Sequence, residues 1–225
     1  MHSLNLPEDL RARVTERIGR DHAYDRLDPA KTALVVVDMQ NYFVAPGAPA
    51  ACEHGPAIAP NINRLAETLR DKGGRVYWIQ TEALPEDAND WQNLYEMLGD
   101  KGKETRLAGL ERESGLYEMW PEMDVRDGDE TVVKTRYSAM LENSSDLKRR
   151  LDDAGVDTVL ITGVATNVCC EATARDAMMM GYRVAMVSDA NAARYDEDHL
   201  AGLTSVWQSF GDVRTTDDCI DNLLA

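Results

Sequence analysis

Several segments of this chain carry apolar runs with almost no polar interruption: "TALVVVD" (32–38), "RVYWIQ" (75–80), "TVLIT" (158–162) and "RVAMVS" (183–188). A strand with one face in water alternates apolar and polar residues. A continuous run suits a strand covered on both faces, as in a parallel sheet flanked by helices. "TVVK", ending at Lys134, and "DVRTT" (212–216) read as two shorter strands. Between the strands lie helical patterns. Ile58, Ile62, Leu65, Ala66 and Leu69 recur at helical spacing, predicting a helix over 59–72 with Pro60 in its first turn and Gly73 past its end. Leu147, Leu151 and Ala154 mark a helix over 145–154, stopped by Gly155. A helix runs from the "GVATNVCC" block to Gly181, another from about Asp196 buries Leu200, Leu203, Trp207 and Phe210, and a last one closes the chain. The 83–129 stretch is polar, carries Trp91, Tyr95, Tyr117 and Trp120, and reads as a long connection.

Strands alternating with helices imply βαβ units, right-handed crossovers and a single parallel sheet. The expected fold is therefore α/β in three layers, with six parallel strands and helices on both faces. A helix over 7–20 stands outside the pattern. It reads as an arm packing on the domain or on a neighbouring subunit, so residues 1–28 form an N-terminal arm and 29–225 a single α/β domain.

Charge narrows the partners. Lys plus Arg number 24 and Asp plus Glu 40, a net charge of −16. Nucleic acid and anionic membrane both call for a positive surface, so neither is expected. No stretch approaches the roughly 20 apolar residues of a membrane span, and the N-terminal segment lacks the apolar core of a secretory signal. A cytoplasmic protein is expected, with Cys52, Cys169, Cys170 and Cys219 as reduced thiols. The "NSS" at Asn143 is then irrelevant as a glycosylation site. His2, His22, His54 and His199 are scattered and read as surface residues.

In open parallel sheets, ligands bind outside the carboxyl ends of the strands. The residues leaving those ends are Asp38, Gln80 to Glu82, Lys134, and Gly163 to Cys169. An acid, a cation and a thiol thus reach one edge. Cys169 is either a buried core thiol or a nucleophile. If Thr166 or Asn167 caps the helix, Cys169 sits where unpaired N–H groups and the helix dipole favour a thiolate. Cys170, about 100° further round, reads as a core residue. Asp38 is either a turn former or a base that takes the thiol proton. Lys134 either reaches solvent or stays beside Asp38 and raises the thiolate fraction.

"ALVVVDMQNYF", "VVKTRYS" and "ITGVATNVCCEATARDA" resemble the signatures of the isochorismatase-like cysteine hydrolase superfamily, in the order Asp, Lys, Cys. That superfamily includes nicotinamidases, the N-carbamoylsarcosine, ureidoacrylate and biuret amidohydrolases, and the isochorismatases. The resemblance covers the chain from about Asp28 onward. It implies a six-stranded parallel α/β sheet, with Cys169 as nucleophile, Asp38 as general base and Lys134 as third member of a triad. It also implies a cis peptide between Val164 and Ala165, and an oxyanion hole formed by the N–H groups of Ala165 and Cys169. Nicotinamidases carry a histidine-containing metal motif after the second strand, whereas "TEALPEDANDW" holds no His; neither metal nor other cofactor is expected. Isochorismatases cleave a vinyl ether without a cysteine at this position. The resemblance is nearest to the ureidoacrylate and carbamoyl amidohydrolases, although Thr81 and Glu82 after Gln80 lean toward the biuret type. The expected function is hydrolysis of a small linear amide, ureido or carbamoyl C–N bond through a thioester on Cys169. Vinyl-ether hydrolysis and non-catalytic binding of a small molecule are the alternatives. Asn41, Phe43, Gln80, Glu82, Arg136, Tyr137 and Asn167 are candidate substrate contacts, and a homo-oligomer, dimer or tetramer, is expected.

Overall fold

The computed structural model describes His2 and residues 6–224. Its strands are β1 (Thr32–Val37), β2 (Arg75–Thr81), β3 (Glu130–Lys134), β4 (Thr158–Val164), β5 (Arg183–Ala192) and β6 (Asp212–Arg214). They form one sheet in the order β3-β2-β1-β4-β5-β6, with every pairing parallel. The helices are α1 (Glu8–Ile18), α2 (Asn41–Val44), α3 (Gly55–Asp71), α4 (Asp87–Asp90), α5 (Gln92–Gly109), α6 (Leu147–Asp153), α7 (Glu171–Met179), α8 (Asp196–Ser209) and α9 (Thr216–Asp218). Among the described residues no helix is long and apolar enough to cross a membrane.

The period of two along each strand sends alternate side chains into two separate cores. Val35, Val37, Ile79, Val159 and Ile161 enter one, together with Leu147, Ala174, Leu203 and Trp207 from the helices on that face. Leu34, Val36, Trp78, Leu160 and Val187 enter the other, against Ile58, Ile62, Leu65 and Leu69 of α3. Both sheet faces are thus covered, which is why the strands read as unbroken apolar runs.

Several boundaries differ from the sequence expectation. α3 begins at Gly55, so Pro56 occupies the first turn and Pro60 lies inside the helix. A Cβ at position 55 would stand 2.7 Å from Val44 Cγ1, so this glycine lets the helix start against α2. The polar 83–129 segment contains α5, whose interior is broken at Gly99 (φ 67°, ψ 174°). In α8, His199 is fully buried where Leu200 was expected to be. The arm helix α1 packs on its own domain: Leu10 and Val14 join the first core, and the Arg11 guanidinium lies 5.8 Å from the Trp207 ring centre.

The sheet order reverses direction between β1 and β4, and their carboxyl ends meet there. Gly163 makes this approach possible. Its φ is +109°, and a Cβ at this position would lie 2.1 Å from the Val37 carbonyl oxygen. Gly163→Ala must therefore displace backbone as well as strain it, and should lower the unfolding free energy by about 3 kcal/mol or more. Urea denaturation of the variant checks this, with loss of soluble folded protein as the extreme outcome.

Candidate active site

Three strand ends supply the polar centre. Asp38 follows β1 in the left-handed region (φ 54°), the only non-glycine residue with positive φ among those described. Such a conformation costs of order 1 kcal/mol or more and is held by its surroundings. Here the Asp38 N–H donates to the Ile79 carbonyl at 3.0 Å. The carboxylate is wholly buried. Its Oδ1 accepts from Thr81 Oγ1 at 2.8 Å and its Oδ2 from Lys134 Nζ at 2.9 Å.

Lys134 ends β3, two strands from Asp38, and is also fully buried. The strand between them contributes Thr81, the register partner of Lys134. The ammonium donates to Asp38, to Thr81 Oγ1 at 2.6 Å and to the Arg136 carbonyl at 3.1 Å. Three protons meet three acceptors. Burial works against the charge, but Asp38 and then Cys169 outweigh it, so the Lys134 pKa is raised. The lysine is not drawn toward solvent, because leaving would strand the carboxylate.

Cys169 lies in a π-helical turn, Thr166–Cys170, that leads into α7. The Val164–Ala165 peptide before it is cis. The Ala165 carbonyl accepts the N–H groups of Val168 at 3.1 Å and Cys170 at 3.2 Å, passing over that of Cys169. Thr173 Oγ1 donates to the Cys169 carbonyl at 2.7 Å and accepts from the Ala139 N–H at 3.1 Å, fastening the turn to the segment after β3. Cys170 faces the core, as expected, and burial raises its thiol pKa well above the ordinary value.

The surroundings of Cys169 work against the preference of a helix end for a thiolate. Burial pushes the Cys169 thiol up to about 12, Lys134 acts downward, and the neighbouring Asp38 carboxylate acts upward. Burial is the largest of these effects, and the downward pull of the cation does not offset it.

The other predicted residues have varied placements. Tyr137 interacts electrostatically with both Cys169 and Lys134. Its ring meets Trp91 edge-on at 4.9 Å, and the Arg136 guanidinium stands 5.0 Å from the Trp91 ring centre. Asn41 Nδ2 donates to the Gly115 carbonyl at 2.9 Å and Gln80 Nε2 to the Tyr117 carbonyl at 3.1 Å, so both fasten the 111–120 loop. Phe43 packs edge-on against Tyr42 at 4.9 Å. Glu82 donates its N–H to the Lys134 carbonyl at 2.9 Å, while its buried carboxylate is held by Arg112, at 3.1 Å from Nη2. Asn167 is half-buried, its backbone close under Gly202 of α8, where a Cβ would stand 3.0 Å from Asn167 Cα.

Thr81, which lies one residue beyond the expected end of β2 and stands among the residues leaving that strand, is absent from the candidate site residues of the sequence reading. That reading missed Gln40, wholly buried, which donates to the carbonyls of Thr81 and Tyr117 at 3.0 and 2.9 Å. It also missed Arg106, a buried residue of α5 whose charge acts on Cys169, Lys134 and Tyr137.

The histidines are not scattered surface residues. His2 stacks on His199 with centroids 4.2 Å apart and lies 4.0 Å from His54. His199 is buried and shares a 2.7 Å hydrogen bond with Thr166 Oγ1, behind the cysteine turn. Burial, reinforced by His2, pushes its pKa down to about 3, so it is neutral. His22 Nδ1 lies 3.1 Å from Asp212. His2, His54 and Asp196 bring three possible metal-ligand atoms within 4.8 Å of one another. His2 Nε2, however, accepts the Ala193 N–H at 3.0 Å, so its Nδ1 carries the proton it shares with Asp196 at 2.6 Å. Neither ring nitrogen of His2 then offers a lone pair to an ion, and the group acts as a hydrogen-bonded clasp.

A buried thiol of pKa about 12 has a thiolate fraction that rises tenfold per pH unit throughout the neutral range. Iodoacetamide alkylation of Cys169, followed by peptide mass mapping, should accelerate tenfold per unit from pH 7 to 9. A plateau below pH 8 would indicate a thiolate already formed at rest.

Residues 32–218 match the family model described as the isochorismatase domain. The chain is 34% identical over 178 residues to a protein of Arabidopsis thaliana named a probable inactive nicotinamidase, covering 76% of this chain and 86% of that one. It is 31% identical over 216 residues to the ureidoacrylate amidohydrolase RutB of Pseudomonas syringae, covering 86% and 84%. The crystal structure of a cysteine hydrolase from Pseudomonas syringae pv. phaseolicola superposes with a TM-score of 0.77 at 28% identity, over 88% of this chain and 95% of that one. Matched along the sheet, the crossovers and the cysteine turn alike, the chain belongs to the isochorismatase family.

Proposed function

We propose that this chain is a cysteine-dependent amidohydrolase that cleaves a small linear amide of the ureido or carbamoyl class. The observation that carries this reading is the buried centre in which the Cys169 thiol lies under the electrostatic influence of a carboxylate already fixed by Thr81 and Lys134. A core that needed only packing would not hold an ion pair there, because withdrawing each charge from water costs several kcal/mol. Similarity to an enzyme that acts on ureidoacrylate supports the substrate class.

In the first step the Cys169 proton passes to Asp38 and the sulfur attacks the substrate carbonyl carbon. The negative charge gathered on the carbonyl oxygen is received by the N–H groups of Ala165 and Cys169; the Ala165 carbonyl takes the N–H groups of Val168 and Cys170 rather than that of Cys169. The C–N bond breaks and Asp38 returns the proton to the leaving nitrogen. Water then attacks the thioester, giving one proton to Asp38, and this proton goes back to sulfur as the acid leaves. Lys134 holds Asp38 in place throughout and limits the charge that accumulates. The high resting pKa of the thiol makes proton transfer part of attack rather than a step before it.

A vinyl-ether hydrolase would have no use for the thiol, and a pure binder would form no adduct. A panel of ureas, carbamoyl compounds and amides assayed for ammonia release tests the reading. Cys169→Ala should fall to background. Asp38→Asn, Lys134→Ala and their double variant should fall to similar residual rates, since a unit loses its function once. Thr81→Val keeps the triad but removes the bridging hydroxyl, and should cost roughly 10- to 100-fold in kcat. No hydrolysis across the panel, with a vinyl ether cleaved at full rate by Cys169→Ala, would sink the proposal.

A further inference from the structure

Arg106 is unexplained by the triad. It lies on α5, one turn before Leu110, whose N–H donates to the Arg106 carbonyl at 3.0 Å. Positions 106 and 110 therefore share a helix face. Leu110 is fully buried against Tyr42 and Ala83, and its carbonyl accepts the Ala83 N–H at 3.2 Å. Gly109 allows the contact, since a Cβ there would be 2.6 Å from the Tyr42 ring. This end of α5 is thereby docked over the residues that follow Thr81, and Arg106 is carried in with it. Its side chain is nine-tenths buried, and its Nε has no hydrogen-bond partner. Among the described residues no carboxylate pairs with it. The two buried carboxylates of this edge are already engaged, Asp38 by Lys134 and Glu82 by Arg112. Those pairs cancel in charge, and one guanidinium, whose charge acts on Cys169, is left without a carboxylate partner among the described residues.

An isolated buried cation is among the costliest groups a protein can keep. We infer that Arg106 is the specificity residue of this site and that its counter-ion arrives with the substrate, as a carboxylate on the side remote from the scissile amide. A planar guanidinium fork matches a carboxylate by two parallel hydrogen bonds. A dianionic phosphate would leave one charge unmet. The substrate is then a small ureido or carbamoyl acid rather than a neutral urea. This assignment rests on the reaction proposed above, which supplies the amide end.

Binding tests it separately from turnover. Full-length Cys169→Ala protein is titrated calorimetrically with N-carbamoylglycine and N-carbamoyl-β-alanine, each against its own carboxamide. At least one acid should bind roughly 30-fold or more tightly than its amide, the span expected for a buried charge pair. The ratio should fall toward one in Arg106→Gln and recover in part in Arg106→Lys. Removing an uncompensated buried charge should leave the unliganded melting temperature of Arg106→Gln equal or higher, which a structural role would not. Equal binding of acid and amide, binding of neither, or a preference that survives Arg106→Gln would overturn the inference. Acid preference without ammonia release by the wild type leaves the carboxylate anchor standing and removes the proposed reaction. Ammonia release without acid preference does the reverse.

Discussion

The ion pair between Asp38 and Lys134 is the interaction on which the rest of this site depends. Both side chains are withdrawn completely from water. Attraction alone does not repay such a withdrawal; the remaining donors and acceptors must be met as well. Thr81 meets them, donating to the acid while accepting from the base, and the Arg136 carbonyl takes the last ammonium proton. This arrangement requires three adjacent strands to end at matched heights. The register that sets Val37 beside Ile79 and Thr81 beside Lys134 supplies the match. The sheet is thus less a platform beneath the site than the device that closes its hydrogen bonds.

Much of the scaffold was legible from the chain. The strands announced themselves because both faces are covered and no alternation intervenes, and Asp38, Lys134 and Cys169 stood out as polar residues leaving such runs. The losses have physical causes. Thr81 looked like the first loop residue because a hydroxyl at a strand end carries no pattern; its role comes from neighbours in strands that are far apart in sequence. α5 was read as a connection because Gly99 and Gly102 interrupt a charged segment, and tertiary docking at Gly109 and Leu110 overrides the poor propensity. The imidazole stack could not be seen at all. It joins His2, His54 and His199, which only the fold brings together.

The state of Cys169 shows how position and environment can point in opposite ways. A cysteine in the first turn of a helix suggests a thiolate, and that reasoning holds where water still reaches the sulfur. Here the first turn is π-helical and the sulfur is buried, with the neighbouring cation committed to Asp38. In the proposed reaction the turn serves instead to present backbone donors. Its geometry is braced from two sides, by Thr173 on the Cys169 carbonyl and by His199 on Thr166. α8 closes over it at Gly202, the position where a side chain would collide with Asn167.

These features together set the charge of the unliganded centre. With the thiol protonated and Asp38 balanced by Lys134, the charge of Arg106 still acts on the cysteine, and among the described residues no carboxylate pairs with it. A resting thiolate would have neutralised that guanidinium internally and repelled an incoming anion. A protonated sulfur leaves the cation available, so the low thiolate fraction and the unpaired arginine are two sides of one electrostatic arrangement. Once a carboxylate occupies Arg106, the downward pull of that cation on the sulfur is offset by a new negative charge. The thiol then has less external help to ionise, and in the proposed reaction its proton goes to the Asp38 carboxylate. In the proposed reaction, substrate charge and the order of proton transfer are therefore coupled: the anion that satisfies Arg106 also commits attack to proceed with Asp38 as base.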